Sequence, residues 1–408
     1  MALIVQKFGG TSVGSAERIR NVAARILATQ QEGHQVVAVV SAMGGVTNRL
    51  VELAHEVSSH PLEKEMDVLL STGEQQTIAL TSMAIAALGG QAVSYTGRQA
   101  GILTTSAHTR ARIEDIDGSA VQSELEAGKI VILAGFQGLD REGRITTLGR
   151  GGSDLTAIAM AAALQADRCQ IFTDVEGVFT CDPRLVKDAR KLDEIAYDEM
   201  LEMASSGTKV MQSRSVEFAQ KYGVPFEVRS SLADRPGTLV TEEHPNMEQV
   251  VIRGISIEKD QANVVIREVP DTPGSAGSIF RALAEADVNV DMIIQNVSNV
   301  GKARISFTLP QNDLERAREV MAPLLENQLQ GAHLEAELGI AKLSAVGIGM
   351  RSHSGVAAKM FGALSDAGIN IQMISTSEIK IAVIVNQARI EEAAHVVHQA
   401  FDLHKEPA

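Results

Sequence analysis

The sequence predicts an α/β protein in which a mainly parallel sheet is sandwiched by helices and followed by two ferredoxin-like modules. Short, continuously apolar segments alternate with helix-like segments over the first ~240 residues, which is typical of a parallel sheet covered on both faces. Glycine-rich turns follow several of these segments. A stretch near residue 273 recurs near residue 354. With 408 residues, the chain is long enough for two or three domains.

The overall composition excludes several classes of partner. Acidic residues outnumber basic ones, 51 to 37, and the formal net charge is −14. A basic face for nucleic acid or an anionic membrane is therefore not expected. The two cysteines, Cys169 and Cys181, have no metal-ligand spacing, and they fit a reducing compartment. With no signal-peptide pattern and no apolar run of ~20 residues, we expect a cytoplasmic protein.

The elements of the N-terminal part follow one another in a regular order. We predict strands over Leu3–Phe8, Gln35–Ser41, Ala92–Thr96, Lys129–Ala134 and Gln170–Thr173. Helices are predicted over Ser15–Gln31, Val46–Ser58, Gln75–Leu88, Asp154–Gln165 and Lys209–Tyr222. Ligands bind at the carboxyl ends of the strands in such sheets, and the glycine-rich turns fall there.

The C-terminal part contains an internal repeat. Pro273–Ile293 and Ser354–Ile374 align without a gap, and each copy belongs to a β-α-β-β-α unit. Two copies are too few for a solenoid and favour a paired regulatory unit. We predict a catalytic domain at 1–240, a linker and crossover strand at 241–261, and two modules at 262–338 and 339–408.

The crossover strand is inferred from what the second repeat lacks. That repeat ends with a predicted helix, Ala388–Leu403, and has no final strand. Met247–Ile257 has strand character and no place in the first repeat. We therefore predict that this early strand completes the sheet of the second module.

The first candidate site is the loop KFGGTSVGS, from Lys7 to Ser15. Glycines let backbone N–H groups approach an anion closely, and the following helix adds its positive end. Lys7 supplies a mobile positive charge. The glycine spacing fits neither a Walker loop nor a dinucleotide-binding fold. Taken alone, the motif is equally consistent with a tight strand-to-helix turn capped by Thr11 or Ser12.

Further loops carry groups of the same kind. LGRGGSD (148–154) contains Arg150, a natural partner for carboxylate or phosphate, and SAMGGVTN (41–48) is another glycine-rich turn. We predict Glu74, in STGEQQ, at a helix start, where it binds an ammonium group or complements the helix dipole. TDVEGVFTCDPR (173–184) follows the last buried strand with polar groups suited to a nucleotide. Together the loops predict a phosphate site on one edge of the sheet.

These motifs resemble those of the aspartokinases, which belong to the amino-acid kinase family, and in particular the bacterial lysine-pathway type. KFGGTSV, STGEQ, GRGGSD, TDVEGV with DPR, and GTKVM occur in the family's order and spacing, and the similarity runs essentially end to end. The repeats resemble ACT domains. The resemblance implies ATP- and Mg²⁺-dependent phosphorylation of the side-chain carboxylate of L-aspartate, the first step of lysine, threonine and methionine biosynthesis. Phe179 stands where the family often has tyrosine, which removes one hydroxyl group near the nucleotide.

The resemblance also assigns roles to individual residues. Lys7, Gly9 and Gly10 would contact the transferring phosphoryl group, while Asp154 either positions Lys7 or caps its helix. Residues assigned to L-aspartate are Ser41, Thr47, Glu74, Arg150 and Ser153, with Arg150 on the α-carboxylate and Glu74 on the ammonium group. Residues assigned to the nucleotide are Lys7, Gly10, Ser12, Thr173, Asp174, Phe179, Asp182, Arg184 and Lys209. No protein ligand to Mg²⁺ is assigned.

An effector site is predicted in the first repeat. DTPGSAG (271–277) places an acidic residue before a glycine-rich helix start, so the helix amides suit an effector carboxylate and Asp271 suits its ammonium group. Alternatively, Asp271 only caps the helix. The second repeat has His353 and Ser354 where the first has Thr272 and Pro273, and no acid lies beside them. We therefore expect the first repeat to bind lysine or threonine more strongly. The assigned residues are Asp271, Gly274, Ser275, Ala276, Gly277, Asn289, Gln295 and Asn296.

Two other functions and two assembly states stay open on the sequence. The acceptor could differ, as in carbamate, acetylglutamate or nucleotide kinases, or the chain could be a non-catalytic amino-acid sensor. We expect a homo-oligomer, or an α2β2 assembly if an internal start at Met247 yields a separate regulatory subunit.

Overall fold

The chain forms two compact units. The computed structural model describes residues 1–208, 210–244, 251–297, 301–351 and 353–406. Unit 1 contains the described residues within Met1–Phe179, Lys191–Ser205 and Lys209–Met247. Unit 2 contains those within Thr180–Arg190, Ser206–Thr208 and Glu248–Ala408. Two short segments that we predicted as part of a continuous domain at 1–240 thus belong to unit 2.

Unit 1 is built around a large, mainly parallel sheet. Its strands are β1 (Leu3–Phe8), β2 (Gln35–Val40), β3 (Ala92–Tyr95), β4 (Ile102–Thr104), β5 (Ile113–Ile116), β6 (Ile130–Ala134), β7 (Gln137–Leu139), β8 (Ile145–Thr147), β9 (Arg168–Thr173), β10 (Glu194–Ala196), β11 (Phe226–Ser230) and β12 (Thr238–Thr241). Eight strands pair in the order β10-β12-β11-β9-β1-β2-β6-β3, and β5-β4-β7-β8 form a smaller sheet. In the large sheet, only the β11–β12 pair is antiparallel among the described strands.

The helices of unit 1 cover this sheet. They are α1 (Ala16–Gln31), α2 (Val46–Val57), α3 (Glu63–Ala87), α4 (Ser119–Glu126), α5 (Gly152–Ala163), α6 (Tyr197–Ser205) and α7 (Ser213–Tyr222). The hydroxyl of Ser15 caps α1 by accepting a hydrogen bond from the Arg18 N–H. β1 and β6 are buried along their whole length, as expected for strands covered on both faces. β6 is apolar throughout, whereas β1 also buries Gln6 and Lys7. Across the described residues, no helix combines the length and apolarity needed to cross a bilayer.

Unit 2 contains both repeats in one continuous sheet. Its strands are β13 (Gly254–Pro270), β14 (Asp291–Val297), β15 (Lys302–Pro310), β16 (His333–Val346), β17 (Met373–Thr376) and β18 (Lys380–Asn386), in the order β14-β15-β13-β16-β18-β17. Its helices are α8 (Ser275–Glu285), α9 (Leu314–Asn327), α10 (Val356–Asp366) and α11 (Ile390–Ala400). Each repeat buries its own apolar cluster beneath its two helices.

The long strand β13 takes part in both halves of this sheet. Gly254–Glu258 pairs with Lys342–Val346 of the second repeat, whereas the part after Gln261 pairs with β15 of the first. Ile255 is buried in the apolar cluster of the second repeat. This is the pairing expected of a crossover strand. β13 continues as one strand through the expected boundary at 261, although its register with β16 shifts between Glu258 and Asn263. Met247 and Val250 lie outside the described residues.

The segment Thr180–Arg190 is an integral part of unit 2. Cys181 and Val186 are buried in the apolar cluster of the second repeat. The Thr180 carbonyl accepts a hydrogen bond from the Ile255 N–H at 2.7 Å, and the Thr180 hydroxyl lies 2.9 Å from Nε2 of His398. Burial lowers the pKa of His398 to about 4, so the imidazole is neutral at physiological pH.

Candidate active site

The predicted loops meet at one edge of the large sheet of unit 1. β1, β2, β6 and β9 are parallel neighbours, so their carboxyl ends lie side by side. Backbone hydrogen bonds join each loop to the end of the next strand. Gly9 N–H donates to the Phe172 carbonyl at 3.2 Å, and Gly135 N–H donates to the Val40 carbonyl at 3.0 Å. The edge is therefore one connected surface.

Lys7 and Asp154 form a buried ion pair at this edge. Nζ of Lys7 lies 2.5 Å from Oδ1 of Asp154, and the two side chains are 10% and 11% exposed. Asp154 lies in the first turn of α5, whose N-cap residue is Gly151. The helix-cap alternative for Asp154 is thus excluded, and the carboxylate orients the Lys7 ammonium group.

The two glycines after β1 differ in what their amides can do. The Gly9 N–H already donates to the Phe172 carbonyl, and its assignment to the phosphoryl group stays a prediction. Gly10 N–H makes no hydrogen bond with any described residue. The Gly10 carbonyl accepts from the Gly44 N–H at 3.0 Å, which joins this loop to the loop after β2. Gly10 therefore offers an available backbone donor in the loop that follows Lys7.

Glu74 is a buried carboxylate in the middle of α3. Its predicted place at a helix start is wrong because the helix begins at Glu63, and the helix-dipole alternative is excluded with it. Oε1 accepts a hydrogen bond from the Ala42 N–H at 2.9 Å, while Oε2 is buried without a partner among the described residues. Burial raises the pKa of Glu74 to about 7, against the opposing effect of the Ala42 N–H. Such an oxygen is suited to a cationic ligand.

The other residues predicted for L-aspartate lie on the same loops. Arg150 is exposed between β8 and α5 and makes no ion pair with a described residue. Ser153 is buried at the start of α5, against the backbone of Gly135. Ser41 and Thr47 are half-buried, after β2 and in the first turn of α2.

A chain of hydroxyl groups marks the part of the edge predicted for the nucleotide. Oγ of Ser12 donates to Oγ of Ser231 at 2.8 Å, and Ser231 donates to the Thr173 carbonyl at 2.9 Å. Ser231 was not among the residues predicted from the sequence. It follows β11, which pairs in parallel with β9, so its loop reaches the same edge. The hydroxyl pair at the end of a buried strand, Ser230 and Ser231, was the available signal.

The remaining nucleotide assignments are divided between the two units. Asp174 is exposed and Phe179 is half-buried in unit 1. Asp182 and Arg184 belong to unit 2, where Nη2 of Arg184 lies 2.7 Å from Oδ2 of Asp182. Lys209 lies outside the described residues. The roles of Asp182, Arg184 and Lys209 stay predictions.

Part of the predicted effector site lines a cavity of about 360 Å³ in the first repeat. Its lining includes five assigned residues: Asp271, Gly274, Ser275, Ala276 and Gln295. Asn296 is absent from the lining because neighbouring strand residues face opposite sides of the sheet. Gly277 and Asn289 are not among the lining residues either. The N-cap of α8 is Gly274 without a side-chain cap, so Asp271 is not a helix cap.

The second repeat has a corresponding and larger cavity. It measures about 560 Å³ and is lined by Gly355, the counterpart of Gly274, and by Arg351, His353 and Glu378. Glu378 comes from the strand-end region rather than from the loop before α10. An acid is therefore present in space where the aligned loop has none.

Comparisons with known proteins agree over both units. A model of the amino acid kinase family matches residues 2–230, and a model of the ACT domain matches residues 263–322 and 343–401. An aspartokinase of Pseudomonas aeruginosa is 53% identical over 405 residues, covering 99% of this chain and 98% of that protein. The structure of E. coli aspartokinase III with aspartate and ADP, in the R-state, has 27% identity and a TM-score of 0.80, covering 98% of this chain and 99% of that one. Its T-state structure with lysine and aspartate has 27% identity and a TM-score of 0.77, covering 98% and 99%.

Proposed function

The chain belongs to the amino acid kinase family and is similar to aspartokinases along its whole length. We propose that its sheet edge transfers the γ-phosphoryl group of ATP to L-aspartate. The acceptor is the side-chain carboxylate, and the products are ADP and 4-phospho-L-aspartate. This reaction is the first step of lysine, threonine and methionine biosynthesis. The aspartate and ADP bound in the E. coli enzyme support both substrates.

The buried Oε2 of Glu74, unpartnered within the described part of the chain, is the main observation that favours an amino acid as the acceptor. An unpartnered carboxylate oxygen inside a protein is costly unless a ligand satisfies it. We assign it to the ammonium group of L-aspartate and the exposed Arg150 to the α-carboxylate, which a guanidinium binds with two parallel hydrogen bonds. The substrate side chain then points toward Lys7.

Phosphoryl transfer requires little acid–base chemistry from the protein. The side-chain carboxylate of free aspartate has a pKa near ~4 and is already ionised at neutral pH. Lys7, held by Asp154, and the free Gly10 N–H stabilise the negative charge on the transferring group in a loose transition state. Ser12, Ser231 and Thr173 lie on the nucleotide side of the same edge.

Mg²⁺, when bound, neutralises charge on the β- and γ-phosphate oxygens. Among the described residues no group of three or more His, Cys, Asp or Glu side chains could hold a metal ion. Mg²⁺ usually binds through substrate phosphates, water and one or two carboxylates. Besides Glu74, which is assigned to L-aspartate, the sheet edge offers the carboxylates of Asp154 and Asp174.

Regulation is assigned to the ACT domains of unit 2. We assign the cavity at Asp271 to the α-amino and α-carboxylate groups of lysine or threonine, because an acid and a glycine-rich helix start lie together there. The lysine bound in the T-state E. coli structure supports an amino-acid inhibitor. We expect a homo-oligomer, in which an effector biases the docking of two chains.

Acyl-phosphate trapping tests the proposed reaction. With ATP, Mg²⁺ and L-aspartate, hydroxylamine should yield aspartyl hydroxamate at a rate that depends on the enzyme. Acetylglutamate, carbamate and nucleoside monophosphates should give no ADP release. Turnover with one of these acceptors and not with aspartate would show that the acceptor is wrong, and no turnover with any would favour a sensor.

A further inference from the structure

Asp67 is a fully buried carboxylate that is not assigned to L-aspartate, to the phosphoryl group or to the nucleotide. It lies on α3, seven residues before Glu74, and its side chain is 0% exposed. A carboxylate in this setting is tolerated only with several hydrogen bonds. Asp67 accepts them from the Thr109 N–H at 2.9 Å, the Thr147 hydroxyl at 2.5 Å and Nδ1 of His108 at 2.7 Å.

These donors form the base of the loop that carries Arg150. Thr147 is the last residue of β8 and precedes Arg150 by three positions. The Thr109 carbonyl lies against Gly149, where an added Cβ would come within 3.2 Å of that oxygen. Asp67 therefore holds the end of β8 at Thr147 and the neighbouring segment at Thr109. The Arg150 loop begins between these two points.

Arg214 holds the same loop from another element. Its Nη1 donates to the Leu148 carbonyl and its Nη2 donates to the Ala111 carbonyl, both at 2.7 Å. Leu148 is itself buried. The base of the loop is thus fixed by a carboxylate on one side and a guanidinium on the other, while Arg150 at its tip is exposed.

We propose that Asp67 is a positioning residue for L-aspartate, which sets the Arg150 loop at a fixed distance from Glu74. The inference rests on the proposed roles of Arg150 and Glu74. Asp67 and Glu74 are about 10 Å apart along one rigid helix, at 1.5 Å per residue. Arg150 and Glu74 bind two groups on the same carbon atom, so a small shift of the loop weakens binding of the pair.

Substitutions in β8 separate this role from a structural one. Thr147→Val removes the hydroxyl that reaches Asp67, and we expect KM for aspartate to rise about tenfold while kcat and KM for ATP stay within about twofold. Thr147→Ser keeps the hydroxyl and should retain the normal KM. Asp67→Asn should give the same selective effect as Thr147→Val, if it folds.

Thr146→Val is the matched control. Thr146 is the neighbouring residue in β8, equally buried, and its hydroxyl bonds to Thr104 on the opposite face of the strand. We expect Thr146→Val to lower Tm without changing KM for aspartate. An equal rise of KM in Thr146→Val and Thr147→Val would overturn the proposal.

A double-mutant cycle with Arg150→Ala shows whether the effect acts through Arg150. In the Arg150→Ala background, Thr147→Val should raise KM for aspartate by less than about twofold. The contact between Arg150 and the α-carboxylate, which Thr147 helps to position, is already absent there. The full tenfold rise in both backgrounds would refute positioning while leaving the role of Arg150 intact. If Arg150→Ala alone leaves KM unchanged, the assignment of Arg150 fails, and the positioning role of Asp67 fails with it.

Discussion

Replacing Glu74 by glutamine removes a buried carboxyl group whose pKa is about 7 instead of the ordinary 4.5. The difference corresponds to about 3 kcal/mol of discrimination against the charged form. Because the folded state binds this proton more tightly than the unfolded state, the free energy of unfolding falls as pH rises from about 4.5 to 7 and is constant above. Glutamine has no such dependence. At pH 8 we expect Glu74→Gln to be more stable by about 2 kcal/mol, after about 1 kcal/mol is lost to an unpartnered amide.

The same substitution should change aspartate binding in the opposite sense. Only ionised Glu74 attracts the ammonium group, so kcat/KM for aspartate should rise about tenfold per pH unit below 7 and level off above it. In Glu74→Gln the profile should be flat, with kcat/KM lowered about 30-fold at pH 8, the loss of one charged hydrogen bond. kcat at saturating aspartate should change little.

ADP release measured against aspartate concentration across this pH range, together with urea unfolding at both ends of it, tests both expectations. Glu65→Gln is the matched control, since Glu65 lies on the same helix with an exposed side chain. It should alter neither profile. A variant that keeps the rise of kcat/KM through pH 7, or is less stable than the parent at both pH values, would refute the reasoning.

Three further predictions concern other sites. Lys7→Ala should lower kcat by at least about 100-fold with little change in KM for aspartate, and steady-state kinetics with near-normal kcat would contradict its role. Asp271→Asn should leave uninhibited turnover unchanged and raise the lysine or threonine concentration for half-inhibition about tenfold; intact inhibition would remove this site. Lys342→Met removes the buried ammonium group that pairs with two carboxylates, and it should lower the free energy of unfolding, measured in urea, by about 2 kcal/mol. Lys302→Met removes one partner of an exposed ion pair and should lower it by less than about 1 kcal/mol. Equal losses in the two lysine variants would contradict this last expectation.

Five strands of the large sheet were predictable because they are largely apolar. β10 and β11 were not predicted, since β10 has only three residues and β11 alternates apolar residues with charged ones. β1 matches its predicted bounds, and β2 and β6 differ from theirs by one residue each. The start of α3 was missed because Ser71, Thr72 and Gly73 resemble a break. Tertiary packing explains the glycine inside this helix. A Cβ at position 73 would lie only 2.8 Å from Cβ of Ala42, so a larger residue does not fit there.

The chemistry-bearing loops were predictable as a group, but their connections were not. Strand order brings the loops together, and motifs identify Lys7, Arg150 and Glu74. The sequence left open whether Asp154 pairs with Lys7 or caps its helix, and it predicted no contact between Ser231 and Ser12. Both contacts depend on side-chain directions across strands distant in sequence. The placement of Thr180–Arg190 in unit 2 depends on tertiary packing that no local pattern records.

The shared strand β13 places a constraint on synthesis of the chain. Its first residue, Gly254, pairs with Val346, which is translated about 90 residues and roughly 5 to 18 s later. During that interval the second half of β13 can already pair with β15, but the first half has no strand to pair with, and its earlier-translated backbone contact is the Thr180 carbonyl at Ile255. An unpaired edge of this kind is a template for another chain, so a nascent protein needs its own β16, or a chaperone, to cover it in time.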